Sequence, residues 1–253
     1  MYQKKLVFMG SKPIGFQCLQ YLLENAKALN IEVVGVLTNT KHILNANEHD
    51  IVALCQKYSI KIVPSLSAFL KIEKVDIVIS VQYHQILKQR HINKAQQIAV
   101  NLHIAPLPEY RGCNQFSFAI LDNAKIFGTT IHKMETKIDA GDILFESRFA
   151  IPENCMVSEL YALSLAKTLL LFKKHLADIV NGNYVGVPQA AFLGKRSSSF
   201  HKRSDIQDIK KIDLSWPKER IERHFRATFF PPFEPPYALV DGKKVYLSLE
   251  FDF

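Results

Sequence analysis

The sequence predicts an α/β protein with a Rossmann-like, open and mostly parallel sheet that has helices on both faces. Apolar runs of strand length alternate along the first half with segments that carry leucines at helical spacing. One run, Val75 to Val81, is apolar on both faces, which is typical of a central strand. Near the end, two β-rich runs joined by Asp241-Gly242 predict a small C-terminal segment that ends in a β-hairpin.

The first half supplies the expected strands and their helices. The strand KKLVFMG is followed by a turn over Ser11 to Gly15, a helix over Phe16 to Leu29 and the strand IEVVGVLT. A polar stretch from Lys41 to Asp50 precedes a helix over 51–58, a short strand IKIVP, a helix near 66–71 and the central strand. The carboxyl ends of such parallel strands share one edge, where ligands bind in open α/β sheets.

The turn after the first strand is a candidate anion site. Gly10 and Gly15 suit a turn that brings backbone amides close to a ligand, and Ser11 and Lys12 are candidate substrate-binding residues. The dinucleotide fingerprint G-x-G-x-x-G is absent, which argues against a nicotinamide cofactor.

The second half divides near residue 188. We predict a helix over 114–121, strands over 128–135 and 142–151, and a long helix over 158–180 that ends at Asn181-Gly182-Asn183. Residues 1–187 then form the main domain, and residues 188–253 a short region with a basic, aromatic loop, a helix over 218–227 and the hairpin. Four prolines between Pro231 and Pro236 predict a stiff, extended connection before the hairpin.

Composition limits the partners. The formal charge of +8 favours an anionic partner, which leaves phosphate, nucleotide and RNA open, although a lysine-rich solvated surface explains it equally well. Four scattered cysteines without C-x-x-C spacing suggest neither a disulfide framework nor a metal site. No apolar run is long enough for a membrane span and no signal peptide is evident, so we expect a cytoplasmic protein.

Three polar residues near strand ends are candidate catalytic groups. Asn101 and His103 follow a buried strand two residues apart, so they share one side, and Asp139 lies in a turn before the next strand. An amide, an imidazole and a carboxylate suit direct acyl transfer to an amine, because the amine is itself the nucleophile. The alternative is that Asn101 caps the loop, His103 is a satisfied half-buried residue and Asp139 closes a turn. His132, on the strand before Asp139, is expected to be structural.

The pattern N-x-H-x-x-x-L-P-x-Y-R-G, followed some thirty residues later by D-x-G-D-I, resembles the formyltransferase family that uses 10-formyltetrahydrofolate. FMGS near the start and SVQYHQIL at 80–87 also match, and the resemblance covers roughly Lys5 to Pro152. It implies that Asn101, His103 and Asp139 are catalytic and that 10-formyltetrahydrofolate is the co-substrate, without a metal. The implied cofactor-binding residues are Val81, Gln82, Tyr83, Ile86, Leu87, Ile138 and Asp139.

The region after residue 188 suggests the branch of the family. It is too short for the C-terminal barrel of the methionyl-tRNA formyltransferases and is similar to the tail of sugar N-formyltransferases that act on dTDP-linked 4-amino-4,6-dideoxy sugars. This implies dTDP-4-amino-4,6-dideoxyglucose as acceptor and a role in surface polysaccharide (O-antigen) synthesis. Lys202 and Arg203 would face the diphosphate, Trp216 or Tyr237 the thymine, and the hairpin would join a homodimer.

Other interpretations remain open at this point. Another amine, on methionyl-tRNA or on a UDP-linked amino sugar, would use the same three residues, and a nucleotide-sugar binding module without catalysis would use none. The aromatic residues of the tail could equally form a small local core around the hairpin.

Overall fold

A six-stranded sheet forms the centre of the protein, whose computed structural model describes residues 2–39 and 50–248. Its strands are β1 (Lys4–Gly10), β2 (Ile31–Leu37), β3 (Val75–Val81), β4 (Ala95–His103), β6 (Ile126–Lys133) and β7 (Ile143–Ala150). Two separate two-stranded ladders join β5 (Arg111–Gly112) to β8 (Phe200–His201) and β9 (Tyr237–Val240) to β10 (Lys243–Tyr246).

Helices connect the strands and continue into the C-terminal region. They are α1 (Lys12–Asn25), α2 (Ile51–Lys57), α3 (Leu66–Leu70), α4 (Gln89–Ile92), α5 (Gln115–Leu121), α6 (Val157–Asn181), α7 (Ile206–Lys210) and α8 (Lys218–Thr228), with 3₁₀ turns at Gln189–Phe192 and Arg203–Asp205. Side-chain caps begin two of them: Asp50 accepts from the Val52 N–H at 2.8 Å, and Ser65 from the Ala68 N–H at 3.1 Å. None of the described helices is long and apolar enough to cross a membrane.

The spatial order of the sheet is β2-β1-β3-β4-β6-β7. The first four strands are parallel, whereas β6 and β7 run antiparallel to their neighbours. The predicted α/β fold with an open, mostly parallel sheet is confirmed. Because β1, β3 and β4 are neighbours, their carboxyl ends meet at one edge.

Both faces of the sheet are covered. All seven residues of β3 are buried, as its unbroken apolar run predicts. Along β1, Leu6 and Phe8 pack into the cluster formed with α1 and α6, while Val7 and Met9 pack on the opposite face with Phe69 of α3. Because side chains alternate along a strand, the single apolar run of β1 contributes residues to the hydrophobic cores on both faces of the sheet.

Several predicted boundaries are wrong. Helix α1 begins at Lys12 and ends at Asn25, not at Phe16 and Leu29, because a proline in the first helical turn costs no hydrogen bond. The run IKIVP is not a strand. The run forms a single bridge between Ile62 and Val36 of β2. In this bridge the Val36 N–H donates to the Lys61 carbonyl, and the Val63 N–H donates to the Val36 carbonyl. Of the polar stretch 41–50, residues 41–49 lie outside the described part of the chain.

The C-terminal region ends in the predicted hairpin, with Asp241 and Gly242 at positive φ in its turn. The expected second run, 243–251, is paired over Lys243–Tyr246, and residues 249–251 lie outside the described chain. The proline run is not extended throughout, because the Phe233 N–H donates to the Phe230 carbonyl at 3.0 Å in a turn. A small core forms between these elements from Ile212, Ile221, Phe225, Ala238 and Leu247.

Part of the region predicted as a basic loop forms a short strand, β8, and we call the segment Ser198–Arg203 around it the strap. Its strand β8 pairs in parallel with β5, just after the proline-rich loop that follows β4. The Ser199 N–H donates to the Glu109 carbonyl at 3.1 Å, and the Cys113 N–H to the His201 carbonyl at 2.8 Å. The His201 ring stacks on Phe118 at 3.5 Å between centroids. The strap thus ties the C-terminal region to the edge of the sheet where the candidate residues lie.

Candidate active site

Asn101 and His103 lie on β4, two residues apart and on one side of the strand, as expected. The sheet register places Asn101 beside Ser80 of β3 and His132 of β6. Asn101 is therefore flanked by the end of the most buried strand on one side and by an imidazole on the other.

Asp139 reaches these residues from the loop between β6 and β7. Its Oδ2 lies 3.6 Å from Nδ1 of His103 and accepts the Gly112 N–H at 2.9 Å. Its Oδ1 lies 3.5 Å from Nε2 of His132. The structure thus brings together the three residues that the sequence singled out, although Asp139 is 36 residues from His103.

The electrostatics of this cluster favour an ionised carboxylate. Burial of Asp139 favours its neutral form, but the positive charge of a protonated His103 and the hydrogen bond and charge of a protonated His132 act the other way. Together with the Gly112 N–H, they hold the pKa of Asp139 well below its usual range. Asp139 therefore favours its ionised form despite its burial.

The hydrogen bonds of His103 determine which nitrogen can accept a proton. A backbone carbonyl only accepts, so the 2.6 Å contact between Nε2 and the Tyr110 carbonyl places a hydrogen on Nε2. In the neutral ring, Nδ1 is then the unprotonated atom, and it faces the Asp139 carboxylate. The Tyr110 carbonyl therefore selects the tautomer, while Asp139 is placed to stabilise a positive charge on the ring.

His132 is a site residue that the sequence interpretation classed as structural. Its Nδ1 donates to the Lys133 carbonyl at 2.7 Å, so Nε2 of the neutral ring accepts from Nδ2 of Asn101 at 3.3 Å. This contact orients the Asn101 amide with its nitrogen towards His132. The sequence shows that Thr130, His132 and Met134 lie on one face of their strand, but it does not show that this strand pairs with β4.

A cavity of about 120 Å³ opens beside this cluster. Five of the seven predicted cofactor-binding residues lie on its wall: Tyr83, Ile86, Leu87, Ile138 and Asp139. Val81 and Gln82 do not line this cavity. Val81 is fully buried, and the Gln82 side chain accepts a hydrogen bond from Lys12 Nζ at 3.1 Å. The wall also contains residues that were not predicted for the cofactor, namely Ser80, Gln85, Asn101, His132, Met134, Glu135 and Thr136.

The predicted anion-binding residues gather beyond Gln82, at the beginning of α1. Burial lowers the pKa of Lys12, and the charge of Arg203 lowers it further, which requires the two cations to be close. The side chain of Asn114 donates to the carbonyls of Lys202 and Arg203 at 2.9 and 3.3 Å and so fixes this end of the strap. Ser11 lies immediately before α1, with its N–H on the Val81 carbonyl.

A second cavity, of about 220 Å³, lies next to the first. Ile138 lines both cavities, and the other walls of the second are Arg111, Lys137 and Phe200. The second cavity is therefore bordered by two cations, Arg111 and Lys137, and by Phe200 of the strap.

Trp216 and Tyr237 pack within the C-terminal region. The Arg220 guanidinium lies 3.8 Å over the Trp216 ring, and His224 packs 4.6 Å from it, so the Trp216 ring has protein partners already. The Lys244 ammonium lies 4.0 Å over the Tyr237 ring. These contacts match the local-core interpretation of the aromatic residues, and a nucleobase role for either stays a prediction.

Comparisons with known proteins identify the family. The formyl transferase family model matches residues 4–168. The GDP-perosamine N-formyltransferase of Brucella melitensis is 31% identical over 172 residues, which cover 68% of this chain and 64% of that protein. The methionyl-tRNA formyltransferase of Pediococcus pentosaceus is 27% identical over 253 residues, covering 95% and 76%.

A solved structure extends the similarity over nearly the whole chain. The N-formyltransferase of Helicobacter canadensis, in complex with folinic acid and dTDP-3-aminofucose, has a TM-score of 0.78 and 25% identity, and the match covers 96% of this chain and 86% of that one. The matched family model spans β1 to the middle of α6 and contains Asn101, His103 and Asp139. The chain belongs to the formyl transferase family.

Proposed function

We propose that the chain is an N-formyltransferase that transfers the formyl group of 10-formyltetrahydrofolate to the amino group of a nucleotide-linked sugar. The observation that carries this proposal is that Asn101 and Asp139 line one cavity, while His103 lies 3.6 Å from the Asp139 carboxylate. An amide, an imidazole and an ionised carboxylate suit a reaction in which the acceptor amine is the nucleophile, because they manage charge and protons around it.

The geometry supports a direct transfer. The uncharged amine attacks the formyl carbon, and the formyl oxygen gains negative charge. Nδ2 of Asn101 has a second hydrogen, besides the one bonded to His132, with which to stabilise that oxygen. His103 accepts the amine proton at Nδ1, where the Asp139 carboxylate stabilises the resulting charge. The bond from the formyl carbon to the folate nitrogen then breaks, and the proton passes to that nitrogen.

The cavity beside Asn101 suits the flat ring of the folate. Its walls combine the exposed apolar side chains of Ile86 and Ile138 with polar groups at the strand ends. The ring would enter between these walls, with the formyl carbon directed towards Asn101 and His103. The Helicobacter relative was solved with a formylated folate, folinic acid, which supports this assignment.

For the acceptor, we propose dTDP-4-amino-4,6-dideoxyglucose. Lys12 and Arg203, with Lys202 next to Arg203 in the strap, would form a cationic group suited to a diphosphate. The cavity at Arg111 and Phe200 shares Ile138 with the cavity that Asp139 lines. The Helicobacter protein was solved with a dTDP-linked amino sugar. The Brucella relative is named for a GDP-linked sugar, so GDP-linked acceptors are compared with dTDP-linked ones in the assay.

A turnover assay tests the function. The purified protein is mixed with 10-formyltetrahydrofolate and a panel of dTDP-, GDP- and UDP-linked amino sugars, and mass spectrometry detects the gain of one formyl group. We expect product, with the dTDP-linked 4-amino sugar as the best substrate by kcat/KM. Asn101→Ala should fold normally but lose about 10²–10³ in rate, as expected for one lost oxyanion donor. Retention of most activity by this variant would refute the catalytic assignment.

A second candidate acceptor is methionyl-tRNA, since the Pediococcus relative matches 95% of this chain. Formylation of charged initiator tRNA, without formylation of any sugar, would replace our proposal by this one. Such an activity should fall steeply with salt, because tRNA binding depends on many phosphate contacts. Binding of nucleotide sugars without any turnover would instead indicate a binding module.

The proposal extends to assembly and location. The hairpin exposes Leu239, Val240, Val245 and Tyr246, a surface suited to a homodimer contact. Sedimentation of the wild type and of Val245→Lys would test it, and a monomeric wild type would refute it. A reduced folate and a nucleotide sugar as substrates would place the protein in the cytoplasm, and its product would serve surface polysaccharide (O-antigen) synthesis.

A further inference from the structure

Gln189, in the 3₁₀ turn at the start of the C-terminal region, holds the loop that carries Asp139. Its Nε2 donates to the carbonyl of Asp139 at 2.8 Å and to that of Gly141 at 2.9 Å. Both hydrogens of the amide are used in this way. Its Oε1 is buried and finds no hydrogen-bond partner in the described chain, so the side chain contributes to this loop as a donor only.

The backbone places Gln189 opposite this loop. Val187 and Ile143 exchange two backbone hydrogen bonds, each of 2.9 Å, in an antiparallel bridge. Two residues further along the antiparallel register, Gln189 comes to lie opposite Gly141. The double contact is therefore a built feature of the C-terminal region rather than a chance approach of a long side chain.

The loop needs support from outside. Asp139 has a φ of 50°, in the left-handed region that costs a non-glycine residue conformational energy. Gly141 packs so closely on the Lys133 carbonyl that a Cβ would collide with it. Within the loop, the Ala140 N–H reaches the Lys137 carbonyl only at 3.3 Å. A loop of this kind keeps its shape when neighbouring groups hold its backbone.

We infer that Gln189 is a positioning residue of the active site, which fixes the Asp139 carboxylate against His103 and Gly112 by tying the carbonyls of residues 139 and 141. This inference rests on the proposed formyl transfer. Gln189 acts through the backbone of the loop, and its side chain contacts neither imidazole. The C-terminal region then serves catalysis as well as acceptor binding.

A pair of matched variants tests the inference. Gln189→Met removes both donors at nearly constant size. The control is Gln97→Met, because Nε2 of Gln97 also bridges two carbonyls, those of Ile179 and Val180 at 2.9 and 3.2 Å, at the far end of α6. We expect kcat to fall about 10–100-fold for Gln189→Met, as for a small misplacement of a catalytic group, and less than twofold for Gln97→Met.

Two further readouts separate positioning from a loss of fold. Thermal unfolding should show similar destabilisation for both variants, while carbon NMR of the Asp139 carboxyl should show its pKa rising towards the ordinary value only in Gln189→Met. Gln189→Glu, which keeps the size but replaces the donors by acceptors, should lose at least as much kcat. Wild-type turnover with unchanged kcat in both Gln189 variants would overturn the inference, as would equal losses in Gln189→Met and Gln97→Met. Absence of turnover in the wild type would instead refute the proposed function, and the NMR comparison would still decide the role of Gln189.

Discussion

Replacement of Asp139 by asparagine removes one charge from the site without changing its size. The carboxylate lies 3.6 Å from Nδ1 of His103, the atom that accepts the amine proton in the proposed mechanism. At this distance, two unit charges in a partly buried site attract each other by about 4–5 kcal/mol at an effective dielectric constant of about 20. If most of this attraction develops in the transition state, kcat falls about 10³-fold, since about 1.4 kcal/mol corresponds to a factor of ten.

The assay compares Asp139→Asn with Asp142→Asn under saturating substrates. Asp142 lies three residues away and pairs with Lys133 at 3.5 Å, but both side chains are partly exposed to solvent, which screens their charges, so this pair should contribute little. We expect Asp142→Asn to keep at least half of the wild-type kcat. A tenth or more of the wild-type kcat in Asp139→Asn would refute the idea that its charge stabilises the imidazolium.

Two further predictions concern stability. Gly112→Ala should destabilise the fold and reduce turnover, because Gly112 has a φ of 87° and a Cβ would collide with the His201 carbonyl. The control is Gly194→Ala, since Gly194 has a φ of 77° but no described atom lies within 4 Å of its Cβ position. Equal melting temperatures for the two variants would contradict the steric argument. The lowered pKa of Asp139 should stabilise the wild type above the unfolded-state pKa of about 4 and lose this effect as pH falls through the folded-state pKa. Chemical unfolding at several pH values should therefore show Asp139→Asn less stable than the wild type at neutral pH, with the difference shrinking in acid; a difference that grows in acid would contradict it.

The sheet could be predicted from the sequence because the pattern of apolar and polar residues in each strand reflects which of its faces are buried. The uninterrupted apolar run of β3 can only suit a strand covered on both faces, and it is buried along its whole length. Likewise, two polar residues spaced two apart at the end of β4 had to share a side. These properties are local, so a single segment is enough to read them.

Contacts between distant segments could not be read in the same way. His132 bonds Asn101 because β6 pairs antiparallel with β4 in one particular register, which no pattern within either strand specifies. Gln189 reaches the Asp139 loop through a bridge between Val187 and Ile143, residues that look unremarkable in the sequence. The helix α1 began earlier than expected for a different reason, namely that its first turn accepts a proline.

The strap, Ser198–Arg203, limits which segments can be exchanged between relatives. It pairs with the strand that contains Gly112, whose N–H donates to Asp139. In the proposed function, acceptor binding and the position of the carboxylate therefore depend on the same segment of backbone. If the proposed function holds, a chimaera that receives residues 188–253 of a relative should change its acceptor preference and also displace the Asp139 carboxylate. Evolution of a new acceptor in this scaffold would favour substitutions in side chains of the strap that leave its ladder with Arg111–Gly112 intact.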